Sequence, residues 1–338
     1  MAEGRWRAGE LLPPVAELGE RFGAAEYAVR RALHQLRGEG LVGITKHVGA
    51  VVTDKASFSW KGRVVFAHSS VSGSYSVHRF ACRLSSRLEA AGWMTNQVFL
   101  DNDGKDGGDL SPLARHLAMG PDFAIVVSEY RRFTSLFDKA GVPYVVLGGG
   151  ARDYPNARAV FRRDTTECFA EMIDAMKAHR LKNLLEVDFE RRMDRYFVSQ
   201  LVSAGISVHR LMCKFASGFD KYSLGEVTAG GRRVVSEFLA NPRNRARLPD
   251  VVLFDDDYLA AGGISALLEA GLRIPADIRV VVCSNKGNEP VLGSSLVRIE
   301  SDPVADADAV ADYVLALLAG SRAAAPKLEL RFIPGESL

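Results

Sequence analysis

Two stretches of this sequence carry side chains whose types and spacing can do chemistry. The first is Asp255-Asp256-Asp257, directly after the apolar run Val251–Phe254. Carboxylates at a strand end can accept hydrogen bonds from neighbouring hydroxyls of a polyol, cap the helix that follows, or hold magnesium through oxygen. Nothing near them supplies the phosphate cradle that would favour magnesium. Gly148-Gly149-Gly150 is not spaced as G-x-G-x-x-G, and it runs into Ala151-Arg152-Asp153-Tyr154-Pro155, which breaks any pyrophosphate-binding helix. Those glycines read as a turn, and no metal or cofactor is expected.

The second stretch is Tyr27, Arg30, Arg31 and His34, set between apolar Val29, Ala32, Leu33 and Leu36. That spacing puts the polar residues on one face of a helix and the apolar ones on the other. An arginine fork fits the two acceptors of guanine in the major groove, so the polar face is either a DNA-reading surface or a solvated one. No Ser-His-Asp or Cys-His pair stands in a diagnostic context such as G-x-S-x-G, which leaves an enzyme as the weakest reading.

The elements that position these residues change character along the chain. Leu12-Pro13-Pro14 opens a helix with proline in its first turn, Val15, Leu18 and Phe22 follow at helical spacing, and Gly23 ends it. A second helix runs from about Ala25 to Arg37 and stops at Gly38-Glu39-Gly40. Leu41–Thr45 and Ala50–Thr53 form a hairpin or wing, and a polar linker follows it. From Gly62 onward, strand-like runs at 64–67, 123–127, 144–147, 184–187, 251–254 and 278–283 alternate with helical patterns, which implies parallel sheets covered on both faces. Nearly 280 residues of this texture predict two lobes, with ligands bound at the carboxyl ends of the strands.

Composition sets outer bounds. At 338 residues, with 47% apolar and 25% charged side chains, the chain is ordinary globular material for two or three domains. The cysteines Cys82, Cys168, Cys213 and Cys283 have no C-x-x-C spacing, which points to buried thiols in a reducing compartment. No segment has the ~18 uninterrupted apolar residues of a membrane span, so no membrane partner and a cytoplasmic location are expected. The net charge is +2, and residues 1–60 carry eight basic against seven acidic side chains. Bulk charge therefore does not attract nucleic acid, and DNA affinity must come from local clustering.

The stretch from Gly9 to Val52 resembles the winged helix-turn-helix of GntR-type transcription factors. Its scaffold residues Gly9, Leu12, Pro13, Leu18, Phe22, Val29, Arg30, Ala32, Leu33, Leu36, Glu39, Gly40, Leu41, Gly49 and Val52 all stand at family positions. The first helix usual in that family would precede Gly4. Where the family carries Ser, Arg, Ser-Arg and Thr at its DNA contacts, this chain has Pro14, Ala16, Ala25-Glu26 and Ala28. Along the recognition helix and wing, Tyr27, Arg30, Arg31, His34, Lys46 and His47 remain as DNA-binding candidates. Glu26 suits the positive end of a helix dipole, repels phosphate, and can accept from a cytosine amino group.

From Gly62 to Leu338 the chain resembles the effector-binding region of LacI/GalR-type repressors, itself similar to periplasmic sugar-binding proteins. Phe254–Gly262 parallels the family's a-x-N-D-x-x-A-x-G, and Ala270–Val280 follows its G-L-x-V-P-x-D-I-x-V. The resemblance implies an α/β fold: a small winged helix-turn-helix domain over 1–54, a linker over 55–61, and a two-lobed, periplasmic-binding-protein-like domain with parallel sheets over 62–338. It places lobe 1 at about 62–160 and 290–320 and lobe 2 at about 161–289 and 321–338. The chain then crosses between lobes near Val160, Asn285–Pro290 and Gly320. By position it assigns Ser69, Ser70, Gly148, Arg192, Asp256 and Ser284 to the ligand, with Phe219 as a stacking ring. Gly148 and Ser284 replace family aspartates, so the ligand need not be a common sugar.

Together these features predict a ligand-responsive regulator, a repressor that binds a pseudo-palindromic operator as a homodimer and a small-molecule effector, a sugar or polyol. The competing expectation is a small-molecule sensor whose head keeps its fold without binding DNA.

Overall fold

The computed structural model describes residues 6–45, 48–53, 60–69, 75–100, 109–127, 131–188, 195–214, 223–290, 292, 295–322 and 324–338. In the head, helix α1 spans Val15–Phe22 and ends at Gly23, whose φ of 62° lets its N–H reach back to the carbonyl of Glu20. Helix α2 spans Glu26–Gly38, one residue displaced at each end from the range its periodicity predicts. Strands β1 (Val42–Thr45) and β2 (Gly49–Val52) pair antiparallel from Val42 opposite Val52 to Thr45 opposite Gly49. The segment before α1 adds an edge to this wing, since Leu11 bridges Val51 and the N–H of Leu12 donates to Ala50. Leu12, Leu18, Val29, Leu33, Val42, Ala50 and Val52 close the core beneath.

The remaining chain builds two sheets. The first holds β3 (Gly62–Ser69), β4 (Trp93–Leu100), β5 (Phe123–Val127), β6 (Tyr144–Leu147) and β7 (Ala159–Phe161), in the order β4-β3-β5-β6-β7. Its pairs β3–β5, β5–β6 and β6–β7 are parallel. Helices α3 (Tyr75–Ala90), α4 (Ser111–Ala118) and α5 (Arg131–Ala140) connect its strands. The glycine triple is a turn, as its spacing predicts, and leads into a single 3-10 turn at Ala151–Asp153.

The second sheet contains β8 (Arg163–Asp164), β9 (Asn183–Asp188), β10 (Ser207–Met212), β11 (Val251–Phe254), β12 (Arg279–Asn285), β13 (Val297–Ser301) and β14 (Leu328–Ile333), in the order β10-β9-β11-β12-β13-β14-β8. Only β13–β14 pairs antiparallel among its described ladders. Its strands are apolar on both faces because helices cover both. Val252, Phe254, Val280 and Val282 pack with α8 (Leu224–Ala240) and α10 (Asp257–Glu269). Val251, Leu253 and Val281 pack with α6 (Thr166–Ala178) and α7 (Arg195–Ser203). Helices α8 and α10 cross backbone to backbone: a Cβ at Gly262 would lie 1.8 Å from the carbonyl oxygen of Thr228.

The crossings between sheets correct one expectation. The first lies at Arg162, between β7 and β8. The second does not lie near Asn285–Pro290, because β13 follows that segment and is still a strand of the second sheet, paired with β12 through Ser301. The chain leaves at Asp302 and forms α11 (Pro303–Leu318). This helix lies against the first lobe: Arg83 of α3 binds Asp308 through Nε at 2.8 Å, and the Tyr313 ring meets Phe161 edge-on. The third crossing returns to β14. Ion pairs tie the crossings together, Arg163 to Asp306 at 3.2 Å, Lys327 to Asp164 at 2.6 Å and Lys286 to Asp302 at 2.8 Å.

Candidate functional site

Helix α2 presents the head's candidate DNA surface. At about 100° per residue, Tyr27, Arg31 and His34 fall within one narrow stripe opposite buried Val29 and Leu33. All three are exposed, and Tyr27 is 74% so, which is unusual for a large ring with nothing to cover it. Arg30 sits to one side of the stripe, where its guanidinium pairs with Glu26 at 3.3 Å. The N-cap residue Ala25 offers no side-chain hydrogen bond. A shallow crevice of about 330 Å³ between the two helices is lined by Ala16, Gly19, Glu20, Gly23, Ala24 and Glu26, so two carboxylates edge the helix start. Lys46 and His47 lie outside the described residues.

In the body, the carboxyl ends of β11, β12 and β13 are locked by a short polar network. Asp256 caps α10, its Oδ1 accepting from the N–H of Tyr258 at 2.9 Å and of Leu259 at 3.1 Å. Asp257 is buried, 2% exposed, and its Oδ2 accepts from both the backbone N–H and the side-chain amide of Asn285. The Asn285 Oδ1 in turn accepts from the Ser301 hydroxyl at 2.8 Å. Two oxygens of this region, Asp257 Oδ1 and Ser284 Oγ, are buried without a hydrogen-bond partner among the described residues. Buried polar atoms of this kind are normally satisfied by water or ligand.

Of the other predicted ligand residues, Gly148 follows β6 with a φ of 95° and donates its N–H to Phe161. Ser69 ends β3, its side chain outside the described atoms, and Ser70, Arg192 and Phe219 are likewise outside. Sequence reasoning missed Asp257 and Asn285 as partners. The signal was their pairing across 28 residues, which no local pattern carries. Nearby on β9, Glu186 is buried, and burial raises its pKa against the opposing pull of Arg210, whose Nε is 2.5 Å away. Burial also holds the Cys283 thiol well above its ordinary range, so it carries no thiolate for nucleophilic chemistry.

A bridge joins the two lobes beside this network. The backbone N–H of Tyr75, at the start of α3, donates to the Tyr258 hydroxyl on α10 at 3.2 Å. The Tyr75 hydroxyl also rests on Gly287, after β12, where a Cβ would come within 2.6 Å of it.

The family pattern described as bacterial regulatory proteins, gntR family, matches residues 1–52, and that of the periplasmic binding protein-like domain matches residues 186–338. The HTH-type transcriptional regulator TreR of Bacillus subtilis (strain 168) is 38% identical over 65 residues, 19% of this chain and 27% of that regulator. The chain therefore spans about a quarter of that relative's length. Among solved structures, a LacI family transcriptional regulator from Arthrobacter sp. FB24 in complex with lactose aligns with a TM-score of 0.64 at 18% identity, covering 82% of this chain and 98% of that one. A LacI family regulator from Lactobacillus casei with bound sucrose aligns at 0.60 and 18% identity, covering 82% and 100%. These likenesses establish the fold. No helix among the described residues is long and apolar enough to cross a membrane. The chain joins a gntR-family winged helix-turn-helix head to a periplasmic-binding-protein-like body of the fold seen in LacI-family regulators.

Proposed function

We propose that the protein is a ligand-responsive transcriptional repressor of the cytoplasm, binding its operator through the head and a sugar or polyol between the two lobes. The observation that carries this reading is the exposed stripe of Tyr27, Arg31 and His34 on the second helix of a helix-turn-helix, in a chain whose body has the LacI-type fold. Arg31 takes phosphate or a guanine edge, Tyr27 and His34 flank it, and Lys46 and His47 reach the backbone from the wing. A single head of this size gives little specificity, so the active form is a homodimer on a pseudo-palindromic site.

The effector meets the carboxyl ends of the strands, where Asp257 Oδ1 and Ser284 Oγ offer unfilled hydrogen-bonding positions. Neighbours of the same fold hold lactose and sucrose in their crystals, which supports a carbohydrate class here. Asp256 contributes by fixing the start of α10 as well as by any direct contact; Ser69, Ser70, Gly148, Arg192 and Phe219 complete the proposed wall. Occupancy alters DNA affinity because the effector binds the two lobe arrangements unequally.

Fluorescence anisotropy of the protein with duplexes spanning its own upstream region tests the DNA half of this proposal. Binding that weakens steeply between ~50 and ~200 mM salt, and that is lost in R31A, is the expected outcome. An absence of binding at the lower salt would favour a sensor whose head no longer engages DNA.

A further inference from the structure

The start of the recognition helix is chemically odd for a phosphate-gripping surface. Ala25 and Ala28 bring no hydroxyl, and Glu20 and Glu26 edge the crevice between α1 and α2. Arg30 is held by Glu26 one turn earlier at 3.3 Å, with both side chains more than half exposed. A paired carboxylate and guanidinium present almost no net charge to a phosphate, and the second carboxylate repels it. A G·C base pair is a different target. Its major-groove edge offers two acceptors on guanine to an arginine fork and an amino donor on cytosine to a carboxylate, so the same neutral pair is complementary to it.

We propose that Glu26 and Arg30 act together as a specificity element that reads one G·C base pair in each half-site. This inference rests on the DNA-binding reading above and adds to it which base pair the head selects and why. Glu26 has two effects: it aligns Arg30 for the base edge, and it denies Arg30 to non-specific phosphate. The head therefore gives up non-specific affinity in exchange for discrimination.

The test is selection of bound duplexes from a randomised library by the full-length protein, wild type and E26Q, E26A and R30A, followed by affinity measurements on the winning site across a salt series. Glu26 and Arg30 are both more than half exposed, so the variants keep the fold, and melting curves check this directly. Wild type should fix one G·C pair per half-site. E26Q and E26A should lose about ten-fold of the preference at that pair alone. E26A should also bind random duplex more tightly, with a salt slope steeper by about 0.9, as Arg30 turns to a phosphate. R30A should relax the same base pair. If wild type selects a site but E26A selects it with unchanged preference and slope, or if R30A relaxes a different position, the inference falls while DNA binding stands. If wild type enriches no site and its duplex binding is insensitive to salt, the DNA-binding reading falls as well.

Discussion

The Tyr75–Tyr258 bridge gives a perturbation whose size can be worked out in advance. Y258F removes the hydroxyl that accepts the Tyr75 N–H at 3.2 Å while leaving the ring in place. A neutral hydrogen bond of this kind is worth about 0.5–1.5 kcal/mol net, so the open arrangement of the lobes should gain roughly two- to twelve-fold in population. G287A acts on the same bridge from the other side. Gly287 sits at φ 87°, where an L-residue pays about 1–2 kcal/mol, and its new Cβ would press on the Tyr75 hydroxyl at 2.6 Å. Because both changes act through Tyr75, the double variant should open less than the sum of the two singles. Spin labels at R115C on α4 and R243C on α9 (Pro242–Ala246), in a C82S background that removes an exposed thiol, report the separation of the lobes. Each variant should broaden the distance distribution toward longer values. Distributions for Y258F and G287A that superimpose on the unaltered pair would refute the idea that this contact holds the lobes together.

Other predictions concern the frame of the site. R210A leaves Glu186 as an uncompensated buried carboxylate at neutral pH, a loss of about 3 kcal/mol or more. Because burial raises the folded-state pKa of Glu186, the protonated form is the one the fold favours; the penalty should be small near pH 4 and grow as pH rises through the raised value. Melting temperatures of wild type and R210A should therefore diverge between pH 4.5 and 7, and parallel curves would count against it. G262A places a Cβ 1.8 Å from the Thr228 carbonyl oxygen, forces α8 and α10 apart and should cost about 3 kcal/mol in urea unfolding. An unfolding midpoint equal to that of wild type would contradict the close crossing.

How much of this was readable in the sequence depends on whether the deciding interaction is local. The helix pair of the head was readable because its punctuation is local: Pro13-Pro14, Gly23 and Gly38-Glu39-Gly40 bound apolar residues at helical spacing. Val251–Phe254 was readable as a strand because it is apolar on both faces, and the cap reading of the aspartates is realised by Asp256. In contrast, β13 reads Val-Arg-Ile-Glu-Ser, short and half polar, and it becomes a strand through its partners β12 and β14. The sequence pattern therefore sets the second crossing too early, before β13. The Arg30–Glu26 pair is legible in the sequence as an i, i+4 spacing of opposite charges. The hold of Asp257 on Asn285 is not legible locally, because the two residues lie 28 positions apart in sequence.

Solute in the body should set the DNA affinity of the head. The most direct test takes the strongest hit from a thermal-shift screen of sugars and polyols and titrates it into the full-length protein bound to a labelled operator duplex at fixed salt. Operator affinity should change by at least about five-fold, and the change should saturate at the hit's own binding concentration. A hit that binds tightly and leaves the operator affinity unchanged would contradict it.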